Sequence, residues 1–391
     1  MKFFIIGFGQ AGGKILDLFL ENEKMRGSKI MIKTLAVNTA RTDLMGLKHI
    51  PMKDRILIGQ SHPKVKGHGV GTDNKLGAKV AQDEVETILN AIDQKGTHDI
   101  DAFLIIAGLG GGTGSGGAPV LAKHLSETYS EPVYAVGILP APEEGKLYSL
   151  NAARSMISLL KYVDNLILVD NGTWKFEGMS LKESFAKINE EIVKRLALLA
   201  RAGEPLEEGL VGEMVVDSSE VINTFRGGGI SSIGYASTLA VEEKPKKKLS
   251  LFRKKEEEFR IPENDKAMKI ASLVRRAALG RLTIPCNIRS AERALILVAG
   301  PPEYLDRKGL EKAKLWLEEQ IAGVEVRAGD YPTRRTKHIA SLVVLANVTD
   351  IPRVKQLQRL AVEAKEEMEI AEKERIEKTF ALFDEDIEPL I

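Results

Sequence analysis

Along the first half of the chain, apolar residues gather in short, mostly unbroken runs at 3–6, 30–37, 102–107, 133–139 and 165–169. A run that is apolar at every position, rather than at alternate ones, suits a strand buried on both faces, as in a parallel sheet. Between the runs, 75–92 and 148–162 carry apolar residues every three or four positions, which is helical spacing. Strands alternating with helices in this way predict an α/β fold, a Rossmann-like doubly wound parallel sheet.

A long helix is predicted next, over 180–203. Ser180 and Glu183 have capping-box spacing, and Leu181, Phe185, Ile188, Ile192, Leu196 and Leu199 follow at threes and fours. Gly203 and Pro205 close the pattern. At 1.5 Å per residue such a helix would span roughly 33 Å, enough for a spine between two domains. The rest reads as a strand (227–236), a charged stretch (242–262), a helix (265–279), a strand (294–299), a helix (310–321), a strand (340–346) and a surface helix (353–378). The expected organisation is a first domain over 1–203, a smaller α+β domain over 204–350, and a helix and tail over 351–391.

Composition narrows the function classes. With 391 residues, 43% hydrophobic and 28% charged, the chain is ordinary for a soluble protein of about two domains. A net charge of +1 gives no basic field for nucleic acid. The lysines and arginines of 242–262, followed by Glu256, Glu257 and Glu258, read as a solvated loop. A single cysteine, Cys286, leaves no disulfide framework and fits a reducing compartment. The six histidines form no H-E-x-x-H pattern, so zinc is not expected and no metal ligand is assigned. With no basic leader before a long apolar stretch, and no apolar run near ~18 residues, a cytoplasmic protein without a transmembrane segment is expected.

Three glycine loops carry the chemical signal. Gly7-Phe8-Gly9-Gln10-Ala11-Gly12-Gly13 follows the first strand and opens a helix, where backbone N–H groups can meet an anion. By itself it is a dinucleotide fingerprint. That fingerprint expects a carboxylate at the end of the second strand, and Asn38 stands there. Gly110-Gly111-Gly112-Thr113-Gly114-Ser115-Gly116-Gly117 follows the strand at 102–107. It lacks the Lys of a P-loop and the first glycine of a nucleophile elbow. A turn needs one or two glycines, so this run is read as backbone pressed against phosphates, with the Thr113 and Ser115 hydroxyls as further donors. Gly67-His68-Gly69-Val70-Gly71-Thr72-Asp73-Asn74 precedes another helix and reads equally as a connector or as a third phosphate loop. Residue by residue, a nicotinamide-dependent oxidoreductase and a nucleotide-binding scaffold without turnover stay open.

The segment from Gly110 to Gly116 resembles the Gly-Gly-Gly-Thr-Gly-(Thr/Ser)-Gly signature of the tubulin and FtsZ superfamily, and the likeness runs in motif order from Met1 to about Ala364. Gln10 is tubulin-like and Ala11-Gly12-Gly13 is FtsZ-like, a mixture similar to the archaeal CetZ group. The resemblance implies a GTPase that assembles head to tail with itself into protofilaments. GTP or GDP would be held by Gly9, Gln10, Ala11, Gly12, Gly13, Asn38, Gly69, Gly71, Gly110, Gly111, Gly112, Thr113, Gly114, Ser115, Gly116 and Asn171. It implies Glu144 at the ribose and Asn189 at guanine, although by spacing alone Asn189 is a polar residue beside an apolar face. Asp217 and Glu220 match acidic residues that complete the neighbouring subunit's site; by spacing alone they form a capping box before Val221. The Asp that follows Asn-Thr in FtsZ is Ala40 here, so Mg²⁺ is expected through phosphates and waters. CetZ-like membership implies a role in cell shape, with FtsZ-like division as the alternative. Any membrane association is expected to be peripheral, through adaptors.

Overall fold

The structure is a computed structural model, and it describes residues 1–25, 33–174, 178–204, 206–240 and 263–380. The charged stretch 242–262, the tail 381–391, Pro205 and the first three positions of the expected strand at 30–37 lie outside the described residues. In the first half, β1 (Phe3–Phe8), α1 (Gly9–Met25), β2 (Lys33–Asn38), α2 (Arg41–Met45), β3 (Arg55–Leu57), α3 (Asn74–Asp83), α4 (Val85–Lys95), β4 (Ala102–Gly108), α5 (Thr113–Thr128), β5 (Val133–Leu139), α6 (Lys146–Leu159) and β6 (Asn165–Asp170) follow in order. Then come α7 (Leu181–Leu199) and α8 (Ser218–Phe225). The last part holds β7 (Ile230–Leu239), α9 (Glu263–Leu279), β8 (Arg293–Gly300), α10 (Arg307–Glu318), β9 (Glu325–Pro332), β10 (His338–Ala346) and α11 (Pro352–Phe380).

Among the described residues all ten strands join one sheet in the order β3-β2-β1-β4-β5-β6-β7-β10-β8-β9. Strands β1 to β6 are parallel, so their C-terminal ends share one edge. The join to the second half is narrow: β7 meets β6 through Leu166↔Ile230 and Ile167↔Ser231 only. Beyond it β10 runs antiparallel to β7 and β8, and β9 closes the edge parallel to β8. The unbroken apolar runs are explained by two cores. In β1, Phe4, Ile6 and Phe8 belong to one core with Val80, Leu121 and Met156, while Phe3 and Ile5 belong to the other with Phe19, Ile192 and Leu196.

The spine forms as its caps predict. Glu183 N–H donates to Ser180 Oγ at 3.3 Å, and Ser180 N–H donates to Glu183 Oε2 at 2.9 Å. The helix stops at Leu199, and Gly203, at φ +72°, donates its N–H to Val216 O at 2.9 Å. Arg195 of α7 is buried and donates to the carbonyls of Ile233 and Arg281 at 3.2 and 2.9 Å, tying the spine to the second half.

Some expectations need correction. The helix expected at 75–92 is two, because the chain turns at Glu84, whose carboxylate accepts the Gly59 N–H at 2.8 Å. Gly227, Gly228 and Gly229 are not strand: all three have positive φ and loop past Asn347 before β7 starts. Both edge strands, β3 and β9, went unread; β3 has three residues, and β9 is half polar.

Candidate nucleotide site

The loops after β1, β4, β5 and β6 emerge at one edge of the parallel sheet. The 67–74 loop joins them there, with Gly69 N–H donating to Thr39 O at 3.1 Å just beyond β2. The first loop and the signature loop touch: a Cβ on Gly9 would lie 2.9 Å from the Gly114 nitrogen. Asn151 of α6 ties the third loop to the signature loop, donating to Thr72 O at 2.8 Å and Gly110 O at 3.1 Å. Helices α1 and α5 start at this meeting point with no acidic residue in their first turns, so their positive dipole ends are left uncompensated for an anion.

Packing within the protein also requires several glycines of the run. A Cβ on Gly112 would strike Val70 at 2.5 Å, one on Gly116 the Asn74 carbonyl at 2.2 Å, and one on Gly117 the Phe8 ring at 2.2 Å. Those glycines are required for α5 to pack on α3 and β1. Gly111 is the exception, since a Cβ there meets nothing within 4 Å; Gly71 of the third loop has the same open space but a φ of +58°.

The side chains divide into engaged and open. Thr113 Oγ1 lies 2.6 Å from Thr39 Oγ1. Ser115 is not a free donor: its hydroxyl proton goes to the Gly111 carbonyl inside its own loop. Asn38 is buried, donating to Asp43 Oδ2 at 3.2 Å and accepting the Ala40 N–H at 3.1 Å. Gln10 also donates to Asp43, at 3.0 Å, so this carboxylate braces the first loop against β2. Glu144 Oε1 accepts the Ala141 N–H at 2.7 Å and the Asn171 amide at 3.5 Å. Asn189 is half-buried on α7, and Phe185, one turn before it, is 37% exposed rather than part of the core. Asp43, Thr39 and Asn151 were missed, because nothing in their spacing separates them from ordinary polar residues. Phe185 could have been found as an aromatic residue four positions from Asn189. Among the described residues no three His, Cys, Asp or Glu side chains gather to hold a metal.

Asp217 and Glu220 are not at this edge. Helix α7 starts after the β6 loop and carries Asn189 midway along its length, and its far end reaches the other edge, where the nitrogen of Met1, just before β1, donates to Ala200 O at 2.8 Å. Gly203, three residues on, packs against the Ser218 nitrogen, which places Asp217 at that opposite edge. The two acids cap α8: Glu220 N–H donates to Asp217 Oδ1 at 2.9 Å, and Asp217 N–H donates to Glu220 Oε2 at 3.3 Å. The Ser219 hydroxyl and then the Glu220 N–H hold the exposed Asp217 carboxyl below its usual range. Arg327 of β9 stands 3.6 Å from Glu220.

Residues 2–176 match the GTPase domain of the Tubulin/FtsZ family, and residues 178–363 match the C-terminal domain of tubulin-like CetZ. Tubulin-like protein CetZ1 of Haloferax volcanii is 50% identical over 373 residues, 94% of either chain. The chain belongs to the CetZ family of tubulin-like proteins. Among other CetZ proteins, CetZ3 of the same organism is 47% identical over 395 residues, the whole of both chains. The GDP-bound monomer of Haloferax volcanii CetZ1 superposes with a TM-score of 0.82 at 48% identity, covering 93% of this chain and all of that one. A GTPγS-bound protofilament of CetZ2 from the same organism gives 0.82 at 39% identity, covering 94% and 100%. With the CetZ fold and its GTPase domain established, the Gly7-x-Gly9-x-x-Gly12 pattern belongs to that domain and needs no nicotinamide.

Proposed function

We propose that this CetZ protein binds GTP at the shared edge of the glycine loops and hydrolyses it when a second copy docks its Asp217 and Glu220 onto that edge. The observation that carries this reading is the separation of the two halves: loops at one end of α7, acids at the other. One chain cannot bring them together, but head-to-tail stacking would do so at every junction, and CetZ2 of Haloferax volcanii forms a GTPγS-bound protofilament.

The phosphates sit at the N-termini of α1 and α5, with Gly111 and Gly71 leaving the closest approach and Thr113 and Ser115 beside it. Glu144 and Asn171 face the ribose. Asn189 reads guanine, since an amide can both donate and accept, and the exposed Phe185 ring covers the base. The incoming Glu220 and Asp217 carboxylates orient and polarise the attacking water. Magnesium, when bound, neutralises charge on the phosphates.

The CetZ-type C-terminal domain supports a role in cell shape, in the cytoplasm. No helix among the described residues is long and apolar enough to cross a membrane. GTP turnover measured against protein concentration, with light scattering on the same samples, tests the proposal. Turnover should rise more steeply than linearly and together with scattering; a rate per chain that stays flat through assembly would sink it.

A further inference from the structure

Arg353 comes from the first turn of α11, far along the chain from the glycine loops, yet it is only 7% exposed. Its guanidinium reaches two loops of the candidate nucleotide site. Nε–H donates to Asp170 Oδ1 at 3.1 Å, one terminal nitrogen donates to Pro140 O at 2.7 Å, and the other donates to Gln356 Oε1 at 3.1 Å. Asp170, 4% exposed, ends β6, and its carboxylate also accepts the Gly172 N–H at 3.2 Å and the Thr173 hydroxyl at 2.7 Å. Pro140 opens the loop that carries Glu144. One guanidinium therefore fixes the turn that holds Asn171 and the loop that holds Glu144, and these two side chains meet at 3.5 Å.

A planar fork can serve two acceptors at a set angle, which a lysine ammonium cannot. A buried ion pair is seldom more stabilising than apolar side chains of the same volume, so its place between two site loops points to geometry rather than to stability.

We propose that Arg353 is a positioning residue for the ribose side of the nucleotide site, so that discrimination at the sugar depends on the C-terminal helix. This rests on the reading that Glu144 contacts the ribose. The test is calorimetric binding of GDP and 2′-deoxy-GDP to wild type, Glu144→Ala, Arg353→Met and Arg353→Lys, each checked for wild-type circular dichroism. Wild type should prefer GDP, and Glu144→Ala should abolish the preference. Arg353→Met should cut it about tenfold, the size of one lost hydrogen bond, with Arg353→Lys between. If Arg353→Met fails to fold, Arg353→Lys decides alone. Loss of preference in Glu144→Ala with a wild-type ratio in the folded Arg353 variants overturns the role of Arg353. No preference in wild type, or an unchanged one in Glu144→Ala, overturns the ribose reading and the proposal with it.

Discussion

The Arg195 guanidinium lies 4.6 Å from the centre of the Trp174 ring, and that contact joins three parts of the molecule. Trp174 ends the turn after β6, Arg195 belongs to the spine, and its other bonds reach the carbonyls of Ile233 in β7 and Arg281 after α9. Since β6 and β7 share only two residue pairs, this cation adds to a connection between the halves that also includes the packing of α11 on α6.

Replacing Arg195 with Met removes the donor to the Arg281 carbonyl, one of the two donors to the Ile233 carbonyl (the Thr283 N–H remains) and the cation beside Glu191. A loss of about 2–4 kcal/mol is expected, read as a lower urea midpoint with an unchanged slope. A midpoint equal to wild type would mean that the halves are held together elsewhere.

Capping and catalysis by Asp217 separate by substitution. Asn accepts the Glu220 N–H as well as Asp does, whereas Ala cannot, at a cost of about 1 kcal/mol. Asp217→Asn should keep wild-type stability and lose assembly-dependent turnover; Asp217→Ala should lose both. Full turnover in the folded Asn variant would leave Asp217 a cap and nothing more.

The glycines of the signature loop should differ sharply. Gly111→Ala has open space around the new methyl and should fold like wild type while weakening GDP binding. Gly116→Ala puts a methyl 2.2 Å from the Asn74 carbonyl and should lower the melting temperature by several degrees. Equal stability of the two would show that α3 and α5 do not pack as closely as described.

What could be read in the sequence follows from where burial was complete. β1, β4 and β5 are apolar throughout, and β6 is apolar between Asn165 and Asp170, because a core covers each face, and Ser180 with Glu183 announced α7 by local chemistry alone. β9 was hidden because, in Glu325–Pro332, only Val326, Gly329 and Pro332 are buried; its pairing with β8 is a tertiary fact. The signature loop was legible as a motif, but the reason for most of its glycines was not, because Asn74, Val70 and Phe8 come from elsewhere in the chain. Arg353 was invisible for the same reason: its partners lie 183 and 213 residues away.

Cys286 should be a slow nucleophile. Burial pushes its thiol from 9.0 up to about 11. At pH 8 the thiolate fraction then falls by roughly 100-fold, and alkylation by iodoacetamide should slow in proportion until urea unfolds the chain. Rapid labelling of the native protein would contradict this.

A site shared between chains is tested most directly by mixing two variants that are each inactive. Gly111→Trp fills the open position in the signature loop and keeps Asp217 and Glu220; Glu220→Gln keeps the loops and removes one of the two incoming carboxylates. The account predicts that GTP turnover, absent in either alone, appears when they are combined, because the loops of one chain meet the acids of the other. Silence at every mixing ratio, with Glu220→Gln still assembling on GTP, would contradict it.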